Sequence, residues 1–193
     1  MHKSRYLFSM LLFTVASAAC LGQSKNLPSP WSFQSILNVG LLEGQTGNAL
    51  QLETINGAQY KSWFTGIGLG LDYYRFRTIP LFLDIRKDFG RNASRVFIYG
   101  DGGISFSWLT DQQKMGYTDA HYGNGLYYDL GLGYKALIGK RNALFISLGY
   151  SYKNLTESYP AYYYGGFYPP GPEKKEDINY QLNRLSIKMG WMF

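Results

Sequence analysis

Few residues of this chain are typed and spaced for chemistry. Beyond residue 22 the one histidine is His121, preceded by Asp119 and followed by Tyr122 and Gly123. Asp119 and His121 could supply two metal ligands, but a zinc site takes three or four. No serine follows His121 in a His-x-Ser pair, so it reads as an exposed loop residue. The single Cys20 excludes both an internal disulfide and a cysteine-based zinc site. Gly66-Ile67-Gly68-Leu69-Gly70 lacks the dinucleotide-binding spacing, and no helical pattern follows it. No catalytic residue, cofactor site or metal site is therefore assigned.

The chemically capable groups that remain are charges at alternating positions: Glu53, Asp72, Asp84, Arg86, Asp88, Asp101, Asp129, Lys135, Lys153, Arg184 and Lys188. Their mixed signs predict ion pairs, because an isolated buried charge is very costly. Paired, they would form a packed polar plug. Left partly open, they would line a narrow pore or a proton path. If the elements that carry them close into a small barrel, its narrow lumen favours the plug.

The elements that carry these charges have a period of two. Eight segments alternate apolar with polar or small residues: Trp31 to Leu42, Ala49 to Asn56, Trp63 to Tyr73, Pro80 to Asp88, Arg95 to Trp108, Leu126 to Lys135, Leu144 to Lys153 and Arg184 to Phe193. Such alternation marks strands with one apolar and one polar face. Several reach the 9 to 11 residues, roughly, that a tilted strand needs to cross a bilayer. An even number of hairpin-linked strands can close on itself and leave no free edge. Tight connections near Tyr60-Lys61, Gly90 to Ala93 and Gly139 to Asn142 fall at one end. Long links, Thr110 to Asn124 and Asn154 to Asp177, fall at the other.

Composition agrees. The 193 residues include 18 Tyr, 12 Phe, 4 Trp and 23 Gly, and only 17% are charged. Chains of that kind are not disordered. The start resembles a secretory signal peptide over residues 1–22: Lys3 and Arg5, an apolar run from Tyr6 to Ala19, then Ser17-Ala18-Ala19-Cys20. Cleavage after Ala19 and cleavage near Gly22-Gln23 both fit. A lipoprotein would acylate Cys20, but Ser17 stands where an aliphatic residue is usual. If the leader is removed and the strands close into a membrane barrel, residues 23–30 would be a short periplasmic segment and residues 31–193 the barrel. Losing Lys3 and Arg5 lowers the net charge from +6 to +4, too mild to argue for nucleic acid.

Glycine decides which face is outside. Gly40, Gly66, Gly68, Gly70, Gly103, Gly125, Gly131, Gly133, Gly149 and Gly190 share the polar face, whereas only Gly100 and Gly102 lie on the apolar one. Small residues suit a crowded interior, so the polar face points inward. Aromatics collect at strand ends: Trp31, Phe33, Trp63, Phe89, Trp191 and Phe193 at one rim, Tyr73, Phe106, Trp108, Tyr128, Tyr150, Tyr152 and Tyr180 at the other. Two such belts around an aliphatic band are what membrane interfaces select.

The chain closes on Leu185-Ser186-Ile187-Lys188-Met189-Gly190-Trp191-Met192-Phe193, apolar at every second residue. Ile187, Met189, Trp191 and Phe193 resemble the carboxy-terminal assembly signal of bacterial outer-membrane barrels. With the leader and eight strands, the mature chain resembles the small OmpA/OmpX-type barrels in their barrel-only form. The resemblance implies an all-β fold, an eight-stranded antiparallel up-and-down transmembrane β-barrel. It also implies a bacterial outer-membrane location, and as partners outer-membrane lipid, periplasmic chaperones and the barrel-insertion machinery. Some barrels of this kind are lipid A acyltransferases or deacylases, but this chain lacks their His and Ser pattern. A non-enzymatic structural or surface-interaction role is therefore expected, with a narrow channel for small solutes or ions as the alternative and a lipid A-modifying enzyme ranked below both. The last external loop, rich in Pro and in Tyr159, Tyr162, Tyr163, Tyr164, Phe167 and Tyr168, reads equally as a surface for a ligand or a cover over the barrel mouth.

Overall fold

Alternation of apolar and polar side chains makes a strand with two chemically different faces, and such strands pair until no edge is left. In the computed structural model, which describes residues 30–90, 93–109, 121–138, 142–161 and 174–193, they do so. The elements are β1 (Trp31–Gly44), β2 (Gly47–Tyr60), β3 (Trp63–Asp72), β4 (Thr78–Phe89), β5 (Ser94–Ser107), β6 (His121–Tyr122), β7 (Gly125–Ile138), β8 (Asn142–Ala161) and β9 (Lys174–Met192). Eight long strands pair antiparallel with their chain neighbours, and β9 closes the sheet on β1 from Ile36↔Met192 to Gly44↔Arg184. Two further bonds, between the backbones of Ser35 and Phe193, extend that seam. The result is a closed eight-stranded antiparallel barrel, with β6 as a two-residue addition to β8.

The outward positions of the strands are mostly Leu, Ile, Val or aromatic residues left about half exposed, such as Leu83, Ile67 and Leu132. A soluble protein does not expose an apolar belt of that extent. A barrel in lipid requires one. No helix among the described residues is long and apolar enough to cross a membrane.

Four local expectations need correction. The link from Asn154 to Asp177 is strand at both of its ends: β8 runs on to Ala161 and β9 begins at Lys174. Asn, Ser and Glu disguise the alternation there, but Leu155 and Glu157 still point inward, while Thr156 pairs with Asn179 and Ser158 with Asp177 by side-chain hydrogen bonds. Tyr159 is accordingly a strand residue, its hydroxyl donating to Glu176. Tyr180 does not belong to the outer aromatic belt; it shares the parity of Leu182 and Arg184, and packs at the barrel mouth. Finally, His121 belongs to β6 rather than to a free loop, its backbone paired with Ser158.

The interior is layered rather than uniformly polar. Ile36, Ile55, Phe64, Phe82, Phe97 and Phe145 form an apolar cluster toward the end with short turns. At the opposite, loop-bearing end, Leu42, Tyr74, Phe76, Leu155 and Leu182 form a second one. Tyr74 and Phe76 come from the β3–β4 turn, which folds over the mouth instead of projecting from it. Glycines make space for the rings: a Cβ on Gly68 would collide with Phe82, and one on Gly133 with Phe97.

Candidate functional site

The eleven charged residues singled out from the sequence are all buried inside the barrel, between the two apolar clusters or against them. Strand parity positions them, since each occupies the inward set of its strand. They divide into three groups.

Nearest the loop end, Asp72 of β3 accepts from both Arg184 and Lys153, the latter at 3.0 Å. The backbone N–H of Tyr74 donates to its other oxygen at 2.8 Å. Arg184 also donates to Ser151 at 2.7 Å. Lys153 does more than pair with Asp72, because its ammonium also donates to the carbonyls of Tyr74 and Phe76 and to the Thr78 hydroxyl, at 3.1–3.2 Å. One buried cation therefore fixes the turn that seals the mouth.

At mid-barrel, Lys188 of β9 reaches Glu53 and Asp129 at 3.1 Å and Asp101 at 3.3 Å. Register makes Asp84, Asp101 and Asp129 direct cross-strand neighbours on β4, β5 and β7. Like charges so placed repel, and two cations offset them. Lys188 is one; Arg86 is the other, bound to Asp84 at 2.8 Å. Neutral donors satisfy further oxygens. Asn38, Gln51 and Tyr127 donate to Glu53, while Tyr99 and Ser186 donate to Asp129.

Toward the turn end, Arg86 lies 5.1–5.7 Å from the ring centroids of Phe145, Tyr99 and Phe97, in cation–π range. Below it Asp88 pairs with Lys135 and, at 3.8 Å, with Arg95. The space between these charges and the rings of Phe64, Phe97 and Phe145 has no volume open to water.

The neutral partners carry no charge pattern, so sequence reasoning does not pick them out as a network. Their one signal is parity: Tyr127 lies two residues from Asp129, and Gln51 two from Glu53. Tyr162, Tyr163, Tyr164, Phe167 and Tyr168 of the candidate binding loop lie outside the described residues, as do Asp119 and the signal segment. Ile187, Met189, Trp191 and Phe193 all face outward. No group of His, Cys, Asp and Glu among the described residues could hold a metal ion. Chemically, the interior is an array of ion pairs and hydrogen bonds that cements eight strands together, although a few buried atoms, Gln51 Oε1 and Arg184 Nε among them, have no hydrogen-bond partner.

The closed eight-stranded topology matches known proteins in shape. Neisserial surface protein A superposes with a TM-score of 0.56 at 10% identity, over 85% of this chain and 96% of that one. The outer membrane protein OprG of Pseudomonas aeruginosa superposes with a TM-score of 0.50 at 13% identity, over 83% of this chain and 95% of that one. The fold is that of a small outer-membrane β-barrel. No protein-family model matches the sequence, and no curated protein matches it significantly. At such low identity the likeness concerns architecture alone.

Proposed function

We propose that this chain is a non-enzymatic protein of the bacterial outer membrane, exported by residues 1–22, that acts as a closed scaffold and not as a pore. The observation that carries this reading is the filled lumen: ion pairs at its centre, with aromatic and aliphatic plugs at both ends. A solute path would require both plugs and the Lys188 cluster to part.

In this reading the short turns face the periplasm and the outward-facing Ile187, Met189, Trp191 and Phe193 serve assembly. The working part is then the β8–β9 hairpin. It continues beyond the last β1–β9 pair, from Tyr152↔Asn183 to Ala161↔Lys174. At about 3.3 Å per residue that is an arm of roughly 30 Å. Glu157 supports it, accepting from Tyr122 of β6 at 2.7 Å and Tyr180 of β9 at 2.9 Å. A rigid arm whose two strands are joined by the Tyr- and Pro-rich residues 162–173 suits recognition of a surface ligand.

Replacing residues 154–181 by a tight turn tests this. The shortened barrel should still migrate differently on gels before and after boiling, while surface binding or complex formation is lost. Unchanged surface behaviour would exclude the arm as the working part.

A further inference from the structure

Gly100 and Gly102 stand apart from the other strand glycines because they face lipid. A Cβ on Gly102 would meet nothing, and one on Gly100 only the tip of Leu130. Neighbouring strands put large side chains beside them: Leu83 pairs with Gly102, and Ile85 and Leu130 pair with Gly100. The two glycines thus form the floor of a groove of about 530 Å³, walled by Trp63, Leu83, Ile85, Ile98 and Leu130, with Lys87 at one end.

Lys87 gives the groove a direction. Its ammonium lies 4.3 Å from the Trp63 ring centroid and 5.9 Å from that of Phe89. Those rings belong to the turn-end aromatic belt, at headgroup depth. Among the described residues Lys87 makes no ion pair, so it remains available to an anion. Lys61, over Tyr60 at 5.1 Å, adds a second cation at the same rim. Along β4, Lys87 is four residues from Leu83, the partner of Gly102, a separation of about 13 Å. One leaflet's hydrocarbon is about 15 Å deep. A chain whose headgroup rests at Lys87 therefore reaches the glycine floor without leaving its leaflet.

We infer that this groove is a binding site for one acyl chain of an anionic glycerophospholipid of the periplasmic leaflet, with Lys87 holding the phosphate. The inference rests on the membrane reading above. The ligand class follows from the walls, which are hydrocarbon, and from the unpaired cation at their rim.

The experiment uses the full-length barrel refolded into phosphatidylcholine vesicles with a small fraction of phosphatidylglycerol bearing a diazirine in its acyl chain. Photolysis and peptide mapping should concentrate adducts on Leu83–Lys87 and Ile98–Gly102. Gly102→Leu, whose Cβ meets nothing, puts a side chain into the groove and should lower that labelling several-fold while the boiling-dependent gel shift persists. Lys87→Gln should lower labelling by the phosphatidylglycerol probe more than by its phosphatidylcholine analogue, whose phosphate is already offset by its own choline cation. Adducts spread evenly around the barrel, labelling indifferent to Gly102→Leu, or a crosslinked second copy in the groove would overturn the inference. Absence of both adducts and gel shift would instead overturn the membrane reading beneath it.

Discussion

Replacing Lys188 by Met removes the one cation shared by Glu53, Asp101 and Asp129 while nearly keeping its volume. Each contact, at 3.1–3.3 Å, is a gross attraction of about 5 kcal/mol at an effective dielectric of about 20. Most of that offsets the desolvation of the four groups. Removing one partner of a buried ion pair nevertheless costs about 3–5 kcal/mol, because the other is left uncompensated. Three carboxylates lose their cation here, and Arg86 is already committed to Asp84. The upper end of that range is therefore expected. With a urea dependence of about 1–3 kcal/mol per molar, 5 kcal/mol lowers the unfolding midpoint by roughly 2 M or more. The assay is reversible urea unfolding in lipid vesicles, followed by tryptophan fluorescence. Adding Asp101→Asn to Lys188→Met should recover about half the loss, because Asp101 sits between Asp84 and Asp129. A loss below about 1 kcal/mol for Lys188→Met, or a further loss with Asp101→Asn, would refute the account of this layer.

Gly68→Ala should destabilise the barrel by about 1–3 kcal/mol through overpacking against Phe82, whereas Gly102→Ala should be neutral or stabilising by up to about 1 kcal/mol; the same unfolding assay separates them. Lys153→Met releases the carbonyls of Tyr74 and Phe76, so trypsin should cleave at Arg75 or Arg77 at least ten times faster than in the parent protein. Deleting Phe193 removes both backbone bonds to Ser35 and should lower the folded fraction in membranes severalfold, read from the boiling-dependent gel shift.

Much of the fold is legible because a barrel writes its two faces into a period of two. Trp63 to Asp72 shows it well: Trp63, Ile67, Leu69 and Leu71 outward, three glycines and Asp72 inward, with only Thr65 and Phe64 against the pattern. Legibility fails where polar residues occupy both faces. The upper halves of β8 and β9 are strands because Thr156–Asn179 and Ser158–Asp177 pair across them, which composition alone does not reveal. Tyr180 misleads for a related reason: a tyrosine near a strand end suits a membrane belt, and only parity with Arg184 assigns it to the mouth. All eleven candidate lumen charges are visible as alternating charges. Their partners are not, since the distance from Lys188 to Asp101 depends on how the sheet closes. Nor does alternation announce that Phe64, Phe82, Phe97 and Phe145 fill the inside; ring volume there is accommodated by inward glycines on adjoining strands.

The central claim is that the lumen is closed, and single-channel recording in planar bilayers tests it most directly. Vesicle-refolded protein, shown by gel shift to be folded, should insert without producing current above the lipid baseline in concentrated salt. Discrete, reproducible conductance steps from that folded protein would contradict the account.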